Sequence, residues 1–85
     1  MNPRKLLRRL ADGNLQNVSF ADIRKLAEGF GFRLSRISGS HHIFIHANVS
    51  ELLNLQEVHG EAKPYQIRQF LRLVERYDLK LEDDK

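Results

Sequence analysis

Four histidines, His41, His42, His46 and His59, are the side chains in this 85-residue sequence best suited to moving protons near neutral pH. An imidazole with an ordinary pKa near ~6.5 can act as general base or general acid, a contribution of roughly 10²–10⁴ in rate. Other reactive groups are scarce. There is no Cys and no Thr, and no Gly-x-Ser-x-Gly turn to present a serine, so covalent acyl chemistry has no visible nucleophile. Gly29-Phe30-Gly31 matches only the start of a dinucleotide fingerprint, and no phosphate loop is present; no nucleotide cofactor is expected. In a strand, His41 and His42 point to opposite faces, while His42 and His46 share a face ~13 Å apart at ~3.3 Å per residue. No two of these readily clasp one metal ion, so none is expected.

What remains is proton transfer by a single imidazole. RNA is a substrate for which that suffices, because its own 2′-OH attacks the adjacent phosphate and the nucleophile arrives with the substrate. A histidine in a strand is nevertheless more often a hydrogen-bonded structural or surface residue, so the pattern alone leaves catalysis the minority reading. Gly39-Ser40-His41 is the context that favours it, since it sets an imidazole beside a turn with basic residues in neighbouring elements.

The elements that must position this turn follow from periodicity and punctuation. Pro3 opens a short helix to about Ala11, with Leu6, Leu7 and Leu10 on one stripe and Arg4, Lys5, Arg8 and Arg9 around it. That basic segment is read as an arm covering the edge of the core, with phosphate contact as the other reading. Asp12-Gly13-Asn14 breaks it, and a connector runs to Val18. Ser19 followed by Asp22 resembles a capping box, so a second helix begins at Phe20, carries Ile23, Leu26, Ala27 and Phe30 on one face, and stops at Gly29 and Gly31.

Phe32 to Ser38 reads as a strand, Gly39-Ser40 as a tight turn, and His41 to His46 as the partner strand. A loop over Ala47 to Glu51 leads to a third strand from Leu53 to about Val58, and His59 to Lys63 is a loop. Pro64 opens the last helix, whose buried stripe is Ile67, Phe70, Leu71 and Val74. Arg68, Arg72 and Arg76 line another side at i, i+4, i+8.

These elements predict an α+β domain, a three-stranded antiparallel sheet with helices on one face plus an extra N-terminal helix. From Phe20 onward the order is that of a double-stranded-RNA-binding-domain-like fold. Residues 1–18 are the basic extension and connector, 19–80 the folded domain and 81–85 an acidic tail. Positions 1–80 hold 13 basic against 8 acidic side chains, and the sequence pI is 9.6. Such a field favours an anionic partner such as nucleic acid. The lack of Cys, of an apolar run long enough for a membrane span and of a secretory signal fits a cytoplasmic protein with no membrane partner.

The stretch Gly31 to His46, with Gly-Phe, a strand bearing Arg36, the Gly39-Ser40-His41 turn and a strand ending in His46, followed by Lys63-Pro64 at the last helix, resembles the signature of HicA-type toxins. These are bacterial type II messenger-RNA interferases. The resemblance covers about Phe20 to Leu79. It implies a metal-independent endoribonuclease with the histidine of the Gly-Ser-His turn as catalyst, here His41 first and His42 second. It further implies RNA contacts from Arg36, Gly39, Ser40 and Lys63 and a HicB-like antitoxin that masks the site. Arg68 and Arg72 join the candidate RNA-binding set from their line on the last helix. The competing readings are a non-catalytic RNA-binding module and a protein-interaction partner of the same fold. The basic segment before Ser19, Ala47 after the second-strand histidine, and a longer third strand carrying Asn54, Gln56 and Glu57 depart from the usual toxin pattern.

Overall fold

A capping side chain, a first-turn proline or both start each helix where the sequence puts it. In this computed structural model, which describes residues 2–82, α1 spans Pro3–Ala11, with Pro3 in its first turn and the Asn2 side chain accepting from the Arg4 and Lys5 amides. Helix α2 spans Phe20–Gly29, and Ser19 Oγ accepts from the Asp22 amide at 3.3 Å. Helix α3 spans Pro64–Arg76, again with proline in its first turn.

Four antiparallel strands follow in spatial order β1-β2-β3-β4: Arg33–Ser38, His41–His46, Val49–Val58 and Glu61–Ala62. The expectation of three strands is corrected here. His59 (φ 52°) and Gly60 (φ 79°) form a two-residue turn, the geometry that matches strand twist. The chain therefore reverses and pairs Glu57 with Ala62 and Val58 with Glu61 where a loop was expected. The third strand also begins at Val49, four residues before the alternation of Leu53 and Leu55 reveals it.

One core joins the helices to one face of the sheet. Phe44, Leu53 and Leu55 from the strands meet Ile67 and Phe70 of α3 and Ile23 and Leu26 of α2, all without exposed surface. Leu6 and Leu10 of α1 are buried in the same cluster. The N-terminal segment thus supplies core, and Arg9 closes its connector by donating from Nη2 to the carbonyls of Gln16 and Asn17. At the other end the Glu82 amide donates to the Gly29 carbonyl at 2.8 Å, and Leu81 stands against Gly29. The expected acidic tail is docked at 81 and 82; residues 83–85 lie outside the described residues.

Two ties close the fold at its seams. His46 Nε2 donates to the Phe30 carbonyl at 2.9 Å while its Nδ1 accepts from the Asn48 amide at 3.0 Å, clipping the β2–β3 turn to the end of α2. Gly31 sits beneath that ring with φ 99°, and a Cβ there would stand 2.8 Å from His46 Nε2. At the same end of the sheet Glu51 on β3, two residues beyond the Val49 that pairs with His46, accepts from Arg76 Nη1 at 2.6 Å and from the Tyr77 hydroxyl, joining the strand to the end of α3. The Tyr77 hydrogen bond is the main reason that the Glu51 carboxyl is held below the ordinary carboxylate range; burial opposes this, and bonds from its own backbone, Ser50 and Arg76 support it.

Gly31→Ala should lose roughly 1–3 kcal/mol from strained φ and the displaced His46 ring, and more than Gly39→Ala, whose Cβ would meet nothing within 4 Å. Urea midpoints compare the two; equal losses would show that the ring contact is immaterial. Because the Glu51 carboxyl is lowered on folding, its contribution is complete above the ordinary carboxylate range and fades as pH falls through the lowered value. Glu51→Gln should therefore flatten the acid-side fall of the urea midpoint while leaving a less stable protein at neutral pH. An unchanged acid profile would refute the tie.

Candidate active site on the open face of the sheet

The hairpin turn decides where each histidine stands. Ser38 pairs with His41, leaving Gly39 and Ser40 as a two-residue turn in which Gly39 takes φ 60° at the first central position. That is a conformation that glycine adopts without steric cost. From there β2 alternates. His42 and Phe44 point into the core, whereas His41, Ile43 and Ile45 face the side without helices.

His42 is 8% exposed, packs its ring 4.5 Å from that of Phe20, and sets Nδ1 3.2 Å from the Ser40 carbonyl oxygen. His41 is half-buried on the open face, with Nδ1 3.2 Å from Asn54 Oδ1 across the strand pair. The adjacent histidines therefore sit in different worlds: one ring belongs to the core, the other to the surface. His46 is the clip described above, and His59 lies exposed in the β3–β4 turn. Among the described residues no three of His, Asp and Glu come together as a metal-binding group.

A β-bulge brings a cation to this face. Leu34 pairs with Phe44 but Arg36 pairs with Ile43, so Ser35 is the extra residue. The bulge turns Arg36 to the same side as Arg33, opposite Ile45. Arg36 becomes the diagonal cross-strand neighbour of His41, a separation of about 7–8 Å. Lys63 follows Ala62, which pairs with Glu57 on β3, and so stands two strand spacings, ~10 Å, from β2.

Arg68 and Arg72 are not brought to His41. The buried stripe of α3 (Gln66, Ile67, Phe70 and Leu73) packs on the core side of the sheet, and these arginines are exposed on the helix's outer side. With Arg76, Arg72 lines a separate cleft of about 360 Å³ beside Glu51 and Gln69.

Three residues that shape the turn and the ring beside it were given no role there from sequence. Gln56 is the Cα partner of His41, and its Nε2 donates to Ser40 Oγ at 3.1 Å. The Gln56 amide in turn donates to Oε1 of Gln66, which is 3% exposed, at 2.6 Å. The Ser40 carbonyl accepts from the Glu57 amide at 3.0 Å. Asn54 is the third. Its place on the diagonal from His41 depends on a strand register, while the signal for Gln66 was available as a polar residue within an apolar helical stripe. Together these bonds fasten the Gly39-Ser40 turn to β3 and through it to α3. The resulting arrangement is an anchored imidazole on an open surface with Arg36 at the diagonal strand position, a pairing of residue types that can exchange a proton with a bound molecule and hold an anionic oxygen.

A family model described as the HicA toxin of bacterial toxin–antitoxin systems matches residues 20–75. No curated protein and no solved structure matches the chain.

Gln66→Leu should leave the Gln56 amide without its acceptor and cost about 1–3 kcal/mol. Amide hydrogen exchange at Gln56 reads this directly. Protection equal to that of the parent protein would show that Gln66 does not hold the strand.

Proposed function

The chain belongs to the HicA toxin family of bacterial toxin–antitoxin systems, and from that membership together with the geometry around His41 we propose that it is a metal-independent endoribonuclease acting on messenger RNA. One observation carries the reading: of the two neighbouring imidazoles, His41 stands on the open face with Arg36 on its diagonal, while His42 is built into the core. His41 Nε2 takes the proton of a ribose 2′-OH. The 2′-oxygen then forms a bond to the adjacent phosphorus, the bond to the 5′-oxygen breaks, and that oxygen leaves with a proton from water or from the imidazolium. Products would carry a cyclic phosphate and a free 5′-hydroxyl. Arg36 holds the scissile phosphate, with Gly39 and Ser40 shaping the turn beneath it and Lys63 positioned for backbone phosphate further along. The face is bordered by Ile43, Ile45 and Leu52, the last 53% exposed, and it suits masking by a HicB-like antitoxin in the cytoplasm. No helix among the described residues is long and apolar enough to cross a membrane.

Purified protein incubated with single-stranded RNA and a chelator should cut it, and His41→Ala should slow cutting by roughly 10²–10⁴-fold without lowering the urea midpoint appreciably. His42→Ala should act the other way round, losing stability first. Equal cutting by the His41→Ala form would remove His41 from the mechanism, and a strict need for added metal would remove the mechanism itself.

A further inference from the structure

We propose that Asn54 is a positioning residue that sets the tautomer and the aim of His41, an inference that deepens the ribonuclease reading and rests on it for its catalytic meaning. Asn54 Oδ1 lies 3.2 Å from His41 Nδ1. An amide oxygen has lone pairs and no proton, so the proton in this contact comes from Nδ1. A neutral imidazole carries one such proton, and Nε2 is then left with its lone pair. The opposite tautomer would set two lone pairs against each other at the same distance. Asn54 thus selects the form of the ring whose outer nitrogen is a base.

The support is rigid. Asn54 is flanked on β3 by Leu53 and Leu55, both without exposed surface, and its Cα is paired with that of Ile43, two positions from His41 on the same face. The backbone that carries the amide is therefore held by the core on its other side. Gln56, the direct partner of His41, is engaged with Ser40, so these two neighbouring outward side chains of β3 have separate tasks: Gln56 holds the turn and Asn54 holds the ring. An amide does this without charge. A carboxylate in its place would orient the ring equally well but would favour the imidazolium, which cannot accept a proton.

The test uses the full chain labelled with ¹⁵N at histidine, and the variants Asn54→Leu and Asn54→Asp. In the parent protein, above the pH at which the ring loses its charge, the His41 nitrogens should show a protonated Nδ1 and an unprotonated Nε2. Asn54→Leu should lose that preference. Its kcat for RNA cleavage should fall on the order of 10²-fold with KM little changed. Asn54→Asp should keep the tautomer but move the acid limb of the pH–rate profile upward by about 1 pH unit or more, a displacement that a merely structural role would not produce. A parent spectrum with the proton on Nε2 overturns the proposal, as does an Asn54→Leu form with unchanged tautomer. If the parent protein cut no RNA, the ribonuclease reading would fail, while the spectra would still decide whether Asn54 fixes the ring.

Discussion

The register of β2 against its neighbours, set by the two-residue turn at Gly39 and Ser40, is the constraint on which the candidate site depends. Side chains alternate with a period of two, so a slip by one residue would exchange the positions of the two adjacent imidazoles. The slip is opposed from several directions. It would pull Phe44 out of the core, lift His42 from the Phe20 ring, and break the bonds that the Ser40 carbonyl makes with the Glu57 amide and the His42 ring. The turn is therefore more than a connector. A single carbonyl at its tip serves both the neighbouring strand and the buried histidine, so the burial of one imidazole helps fix the exposure of the next.

The bulge at Ser35 performs a related sorting on β1. Strict alternation places Arg33 and Arg36 on opposite faces, which would turn Arg36 toward the core side and leave a guanidinium to be desolvated. One inserted residue avoids that cost and gives the open face two cations on its edge strand. It also interrupts the straight run of pairing groups on the exposed edge, which reduces the tendency of such an edge to recruit another strand. The same irregularity thus serves the charge distribution and the solubility of the fold.

How much of this was legible follows from how local each signal is. Pro3, Ser19 and Pro64 announce helix starts through their own backbone restriction or a contact within three residues, and all three helices begin where those residues stand. The Gly39-Ser40 hairpin is equally local. The β3–β4 turn was missed because His59 adopts a left-handed conformation that a non-glycine residue rarely takes, so its sequence advertises a loop. The residues around His41 were legible in kind but not in arrangement. Asn54 lies 13 positions from His41, and neither its contact with the ring nor the bulge that turns Arg36 outward can be read without a register. The line of Arg68, Arg72 and Arg76 was visible by helical spacing, yet spacing along one helix says nothing about which layer of the domain the helix will occupy. Burial of the opposite stripe on the core side of the sheet places that line away from His41.

The placement of the helices explains why the two sheet faces differ so sharply. At 85 residues the chain can enclose one modest core, and all three helices are spent on a single face, with α1 contributing Leu6 and Leu10 from outside the segment that matches the toxin family. Nothing within the described residues covers the other face, which keeps the proposed proton-transfer group accessible and leaves Leu52 about half exposed. The accessible imidazole and the unburied apolar border thus share the face that the helices leave open. In a toxin–antitoxin setting that combination is useful: burying Ile43, Ile45 and Leu52 under a partner would supply hydrophobic driving force while the same contact would close the proposed site at His41. The face left uncovered for the proposed chemistry is, by that physics, also the face best suited to inhibition.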